Sequence, residues 1–255
     1  MHRTLCSRAV VVVVAACAFS AHAEPLAWEE VARADIVGRP LVVYSRAIAG
    51  SDVREVRGLG SFDAPSWIVK NVIDDVVHYK DFMPYTKVSD VLSRHDGYMV
   101  SYQRISTPIV DDRDYTIKIF DESREDISGK VIWKNRWSEA NKLGPALVDG
   151  AVRVAINEGY WLLEELDGGK RTKATYYIYT NPGGGLPAFI VNAANEQALP
   201  DLYKAVAKAS GDPKYAKTRP TPRSSEKVAR PSPPTLTPTT PPPLVLPPPP
   251  LPPVG

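Results

Sequence analysis

Pro182-Gly183-Gly184-Gly185-Leu186-Pro187-Ala188-Phe189-Ile190-Val191-Asn192 divides the chain into a strand-rich part before it and a long helical part after it. Three successive glycines end a strand, because glycine lacks the side chain a sheet packs. From Leu186 to Ser210 the spacing predicts one amphipathic helix, with Phe189, Ile190, Ala193, Ala194, Gln197 and Ala198 along one side and a kink at Pro200. Everything between Leu41 and Thr180 is dominated by β-like segments. Leu41–Ser45 and Glu55–Phe62 come first, the second carrying Gly58 and Gly60 as expected bends. Asp63-Ala64-Pro65-Ser66 then reads as an N-cap, at Asp63, followed by proline in the first turn of a helix, with Ile68, Val69, Val72, Ile73, Val76, Val77 and Tyr79 at helical spacing. Asp74-Asp75 divides this stretch into two short helices, and Pro84 ends it.

A β meander follows: 86–94 and 98–106 around His95-Asp96-Gly97, 113–122 and 130–137, 151–157 and 159–166, then 170–180 after Asp167-Gly168-Gly169. A short helix around Trp28–Ala34 is expected to open the domain. The fold class is α+β: a curved antiparallel sheet of about nine strands wrapped around a long C-terminal helix, with a short helix pair after the second strand. The terminal helix is the element long enough to cover the concave face, and an apolar interior lies between the two.

Of 255 residues, 25 are proline, and 15 of these fall after residue 217. That region, from 211 to 255, reads as a proline-rich polyproline II spacer without a core of its own. The first 23 residues read as a secretory signal: Arg3 and Arg8, an apolar run from Ala9 to Phe19, and Ala21-His22-Ala23 before the cleavage point. Val14-Ala15-Ala16-Cys17 offers a lipoprotein alternative. Export to the periplasm or beyond is therefore expected. The domain between, 24–210, holds 23 Lys and Arg against 27 Asp and Glu, a net of −4, which disfavours nucleic acid as a partner. It has no cysteine and only His78 and His95, which excludes thiol chemistry and a three-histidine metal site. No metal or cofactor is expected.

Several stretches, in order, resemble the START (lipid-transfer) domains of the helix-grip superfamily. They are Val43–Arg46, Asp74–Pro84, Thr107-Pro108 with Arg113-Asp114-Tyr115, Val152–Val154 with Gly159–Leu163, and Lys173–Tyr177 with Pro182–Asn192. The resemblance implies a tunnel for one lipid or sterol-like molecule and binding without catalysis. The partner is then a lipid or other hydrophobic small molecule (a phospholipid or fatty-acyl molecule first, a sterol-like one otherwise), met at a transient membrane surface by a monomer.

A lipid site needs apolar lining and a few polar groups to orient a head. Strand aromatics are the first candidates: Tyr98 and Tyr102, Tyr115, Trp133, Trp161, and Tyr177 with Tyr179. Arg113 and Arg153 are candidates for an anionic head or a buried ion pair with Asp114, Glu158 or Glu164. Phe189, Ile190 and Ala193 would line from the helix, and Gly183, Gly184 and Gly185 would hinge a gate. No catalytic residue is assigned, since no Gly-x-Ser-x-Gly elbow exists and paired carboxylates such as Asp111-Asp112 and Glu164-Glu165 point apart in a strand. Two other readings stand beside this one. An enzyme of the polyketide cyclase type would draw on Arg104 and Tyr102. A non-catalytic envelope interaction module would have a filled core.

Overall fold

The structure, a computed structural model, describes residues 26–107, 110–126 and 128–223. The expected signal, the lipobox at Cys17, Pro108 and the proline-rich run after residue 223 lie outside the described residues. The elements are β1 (Glu29–Asp35), β2 (Pro40–Ile48), β3 (Ser51–Phe62), α1 (Ser66–Asp74), a 3-10 turn at Val76–His78, α2 (Tyr79–Phe82), β4 (Thr86–His95), β5 (Tyr98–Ile105), β6 (Asp112–Asp121), β7 (Arg124–Glu125), β8 (Val131–Glu139), β9 (Ala151–Arg153), β10 (Ile156–Leu166), β11 (Arg171–Asn181) and α3 (Ala188–Ala209). Nine strands follow one antiparallel path, β1-β2-β3-β11-β10-β8-β6-β5-β4, with the short β7 and β9 beside it. The last strand thus returns to pair with β3, and α1 and α3 pack on the inner face of the curved sheet. The expected α+β class, the helix pair and the long C-terminal helix are all present.

Four local expectations are corrected. The segment around Trp28–Ala34 is a strand, not a helix: β1 pairs with β2 from Glu29↔Ser45 to Asp35↔Pro40. Its Glu and Ala residues favour a helix locally, but the open edge of β2 offers backbone partners along the whole segment, and that tertiary gain wins. The stretch 151–157 is not a hairpin strand. It splits into β9, which runs parallel to β6 from Asp112↔Ala151 to Asp114↔Arg153, and the first two residues of β10. Between β8 and β9 the chain swings out, and Asn141 splices the gap by accepting from Thr116 N–H (2.8 Å) and donating to the Val154 carbonyl (2.7 Å). Asp63 does not cap α1. It pairs with Arg39, while the Ser66 hydroxyl accepts from the Trp133 indole N–H at 3.1 Å.

Gly58 and Gly60 are not bends. A methyl group at either position would lie 2.9 or 2.8 Å from Leu199 or Tyr203 of α3. The two bare positions on β3 let the helix descend onto the sheet, which is a packing role rather than a conformational one.

The expected domain boundary at Ser210 moves outward. Residues 213–216 form a 3-10 turn that buries Tyr215, whose hydroxyl donates to Asp75 at 2.8 Å. Asn71 donates to the carbonyls of Tyr215 and Thr218, each at 2.8 Å. Burial pushes the Asp75 carboxyl up, but bonds from His78, Tyr215 and Lys214 outweigh it and hold the group below its ordinary value of 3.8. A depressed carboxylate stabilises the fold above its unfolded pKa, and that contribution is lost as pH falls through the folded value. Residues 211–218 should therefore loosen below about pH 3.8. Their amides should gain hydrogen exchange on acidification, after correction for intrinsic rates, before those of β10 and β11. Simultaneous loss of protection would show that Asp75 does not hold the segment.

Candidate functional site

Side chains alternate along each strand, so one inward residue sets the face of all the others. β6 turns Tyr115, Ile117 and Ile119 inward, β5 turns Gln103 and Ile105, and β8 turns Trp133, Asn135 and Trp137. β10 contributes Asn157 and Trp161, and β11 contributes Tyr176 and Ile178. These residues face Ile73 of α1, Tyr79 and Met83 around α2, and Leu202 of α3. Between them lies a cavity of about 170 Å³. Its deep end is walled by buried Ile117, Ile119, Trp137 and Trp161, and its shallow end by half-buried Pro84, Thr86, Ile105, Ile178 and Leu202. Gly159 makes room at the wall: a methyl group there would strike the Trp137 ring at 2.5 Å.

The polar groups of this wall are all uncharged. The Trp137 indole N–H donates to Asn157 Oδ1 at 3.0 Å, and the Tyr115 hydroxyl donates to Gln103 Oε1 at 2.8 Å. Burial pushes the Tyr115 phenol far above its ordinary range, with the Asn157 amide pulling back against it. Burial likewise raises Tyr176, and Tyr79 too, where Asp74 adds to the effect. All three phenols stay protonated rather than acting as bases, and Tyr79 donates to the Ile73 carbonyl as Tyr115 does to Gln103. Asn135 Nδ2 donates to Asp74 Oδ1 at 2.7 Å, and Asp74 in turn holds the buried Lys70 at 2.5 Å. Asn135 Oδ1 has no partner.

Of the candidates expected from the sequence, Tyr115 and Trp161 line the cavity. Trp133 faces inward, but at 1 % exposure it is filled core against Ser66. Tyr98, Tyr102, Tyr177 and Tyr179 are on the outer face of the sheet, so they are corrected. Tyr98 stacks on His95 with centroids 4.4 Å apart, the Tyr177 hydroxyl donates to Glu55 at 2.6 Å, and the Tyr179 hydroxyl donates to Ser51 at 3.1 Å. Phe189 and Ile190 are also corrected. Phe189 is 73 % exposed, because the buried stripe of α3 runs through Val191, Leu199, Tyr203 and Val206, one register away. Ala193 is half-buried off that stripe and does not line the cavity.

The two arginines split. Arg153 grips Asp114 with two bonds, Nε to Oδ1 at 2.7 Å and Nη2 to Oδ2 at 2.9 Å, and Tyr102 donates to the same carboxylate at 3.2 Å. This is an ion pair on the outer face, and Arg153 does not line the cavity. Arg113 is buried, donates to the Asp111 carbonyl, and lines a shallow polar cleft with Lys87, Arg104, Asp112 and Gly184, apart from the cavity. Gly183, Gly184 and Gly185 all have positive φ, at 65, 73 and 69°, a conformation that side chains resist. A methyl group on Gly184 would meet the Arg113 guanidinium at 2.9 Å.

Gln103, Asn135 and Asn157 were missed by sequence reasoning. A signal existed: Asn135 stands midway between Trp133 and Trp137 on the same strand face, and an amide among buried aromatics needs a partner to satisfy it. Among the described residues, no cluster of three or more His, Cys, Asp or Glu is placed to hold a metal ion.

No protein-family model matches the chain. Among curated proteins, phosphatidylcholine transfer protein of Rattus norvegicus is 27% identical over 117 residues, covering 45% of this chain and 53% of that protein. The chain thus spans about half the length of this curated relative. Among solved structures, a STAR-related lipid transfer protein (fragment 25–204) from Xanthomonas axonopodis is 25% identical with a TM-score of 0.64, covering 72% of this chain and 99% of that one. Human StAR-related lipid transfer protein 5 is 17% identical with a TM-score of 0.61, covering 72% of this chain and 86% of that one. Human STARD10 is 19% identical with a TM-score of 0.59, covering 72% of each chain. The two human structures share the fold.

Proposed function

We propose that this chain, whose fold is that of the START domains, binds a lipid in the cavity between its sheet and helices and carries or sequesters it without catalysis. The observation that carries this reading is the cavity itself, apolar along Ile73, Ile117, Ile119 and Ile178, with an amide and phenol group at one wall. Burial of a tail there contributes about 0.8 kcal/mol per CH₂. Two features support a non-catalytic role. No charged side chain lines the cavity among the described residues. Tyr102 and Arg104, the tools a cyclase-type enzyme would draw on, bond Asp114 and Asp112 outside it.

A cavity of about 170 Å³ is smaller than the roughly 300–1,000 Å³ of ordinary ligand pockets, so entry of a long chain requires opening. The N-terminal half of α3 is the element suited to move. Three of the helix's four buried residues, Leu199, Tyr203 and Val206, lie in its C-terminal half. Pro200 withholds one backbone donor between the halves, and the Gly183–Gly185 loop supplies the hinge. Exposed Phe189 and Ile190 beside that hinge suit transient contact with a membrane. Export is part of the same proposal, since a carrier serves an aqueous compartment between membranes.

The purified protein should release lipid in about equimolar amount on solvent extraction, read by mass spectrometry. Ile119→Trp fills the deep end and should cut uptake of an apolar fluorescent probe about tenfold, with about 1–3 kcal/mol lost in overpacking. A wild-type protein that yields no lipid and takes up no probe is incompatible with the proposal.

A further inference from the structure

Resting on that lipid-cavity reading, we propose that the ligand's head is uncharged: a lipid presenting a hydroxyl or carbonyl oxygen rather than a phosphate or an ionised carboxylate. The argument is one of hydrogen-bond direction. An indole N–H can only donate, so Trp137 fixes Asn157 with Oδ1 toward the ring at 3.0 Å and leaves Asn157 Nδ2 as a donor. Beside it the Tyr115 hydroxyl donates to Gln103 Oε1 at 2.8 Å. The chain of donors ends at Gln103 Nε2, on a side chain only 5 % exposed that lines the cavity. That group can only donate, and it calls for an acceptor oxygen.

Asn135 supplies the complement. Its Nδ2 is committed to the Asp74 carboxylate at 2.7 Å, which accepts only, so the buried Oδ1 is left as an acceptor with no partner. A buried polar atom left unpaired costs free energy that a ligand group recovers. A hydroxyl can answer either group, since it both accepts and donates.

An anion finds no counterpart here. Lys70, the buried cation of α1, is held by Asp74 at 2.5 Å and by Asp121 at 3.6 Å, and it does not line the cavity. Arg113 lines the separate polar cleft beside Gly184. Moving a charge into a wall of neutral amides and apolar side chains is strongly unfavourable without a partner.

The test compares amphiphiles with the same twelve-carbon tail and different heads. The full protein is loaded with diphenylhexatriene, a hydrocarbon probe with no polar group. Displacement is then measured at pH 8 with 1-dodecanol, laurate and dodecylphosphocholine, each below its micellar concentration. Dodecanol should displace the probe at about tenfold lower concentration than the other two. Laurate should approach dodecanol once the pH is low enough to protonate it. Gln103→Leu should weaken dodecanol about fivefold relative to the hydrocarbon probe, read as the ratio of the two affinities measured on the same variant. Equal or better displacement by laurate or dodecylphosphocholine at pH 8, or an unchanged affinity ratio in Gln103→Leu, overturns the neutral-head proposal and leaves the lipid cavity standing. A wild-type protein that binds neither probe nor any of the three overturns the lipid cavity as well.

Discussion

Replacing Asp114 by alanine should destabilise the domain by about 3 kcal/mol, enough to remove a large part of its folding free energy. The carboxylate is fully buried on the outer face of β6 and has three donors: Arg153 Nε at 2.7 Å, Arg153 Nη2 at 2.9 Å and the Tyr102 hydroxyl at 3.2 Å. The bonds to Asp114 hold the Arg153 guanidinium above its ordinary pKa. The pair also ties β9 to β6. That pairing spans only Asp112↔Ala151 to Asp114↔Arg153, too few backbone bonds to secure the excursion from Asn141 to Gly150. Removing one partner of a buried pair strands the other charge, and this cost exceeds the net worth of the pair. The estimate is at the lower end of the usual range because the Arg153 side chain is 22% exposed and water can reach its outer edge. Asp114→Asn, which keeps the shape but not the charge, should cost about half as much. Urea denaturation of the two variants, with Arg153→Met and the double variant, measures the coupling. If Asp114→Ala and Arg153→Met simply add, the two side chains do not act as a pair.

The periods of the sequence were legible and the faces were not. The helix pair declares itself through Ile68, Val69, Val72 and Ile73 at helical spacing, and the hairpin at His95-Asp96-Gly97 through its turn, because both signals are local. Strand β1 was read as a helix because its backbone partners are on β2, and pairing across strands is absent from local propensity. The same limit applies to parity. Tyr115 and Trp161 point in while Tyr98 and Tyr177 point out, yet each is an aromatic in a strand, and a shift of one residue exchanges the faces. On α3 the apolar residues Phe189 and Ile190 drew the stripe to the wrong side. The true stripe through Val191, Leu199, Tyr203 and Val206 becomes recognisable once Gly58 and Gly60 are seen as the bare ground beneath it. The outer-face pair of Asp114 and Arg153 was foreseen as a possible ion pair from residue type alone, whereas the amides Gln103, Asn135 and Asn157 were passed over because polar strand residues usually face solvent.

Tyr203→Ala should cost about 4 kcal/mol, lower the melting temperature by roughly 8–16 °C and abolish probe uptake with it. Tyr203 is fully buried over the seam where β3 pairs with β11. Its hydroxyl is shared between the carbonyls of Gly58 on β3 at 3.0 Å and Ala174 on β11 at 3.2 Å. Its ring stacks on Phe62 with centroids 5.3 Å apart and leans on Trp161 at 5.4 Å. One side chain therefore fastens α3 to both strands of that seam. Truncation leaves a cavity above Gly58 and Gly60, two positions with no side chain to collapse into it. Leu202, the next residue along the helix, lines the lipid cavity, so a helix that loses its anchor loses the cover of that cavity as well. Tyr203→Phe separates the contributions: it keeps the ring and should cost only about 1 kcal/mol for the lost hydroxyl. Gly60→Val approaches the same contact from below, placing new atoms against the Tyr203 ring where even a methyl group would lie 2.8 Å away. Calorimetry on the three variants decides the matter. Destabilisation in Tyr203→Ala and Gly60→Val with near-normal Tyr203→Phe places the anchor in the ring. A Tyr203→Ala protein that melts within 3 °C of wild type and still takes up probe means that α3 is held elsewhere.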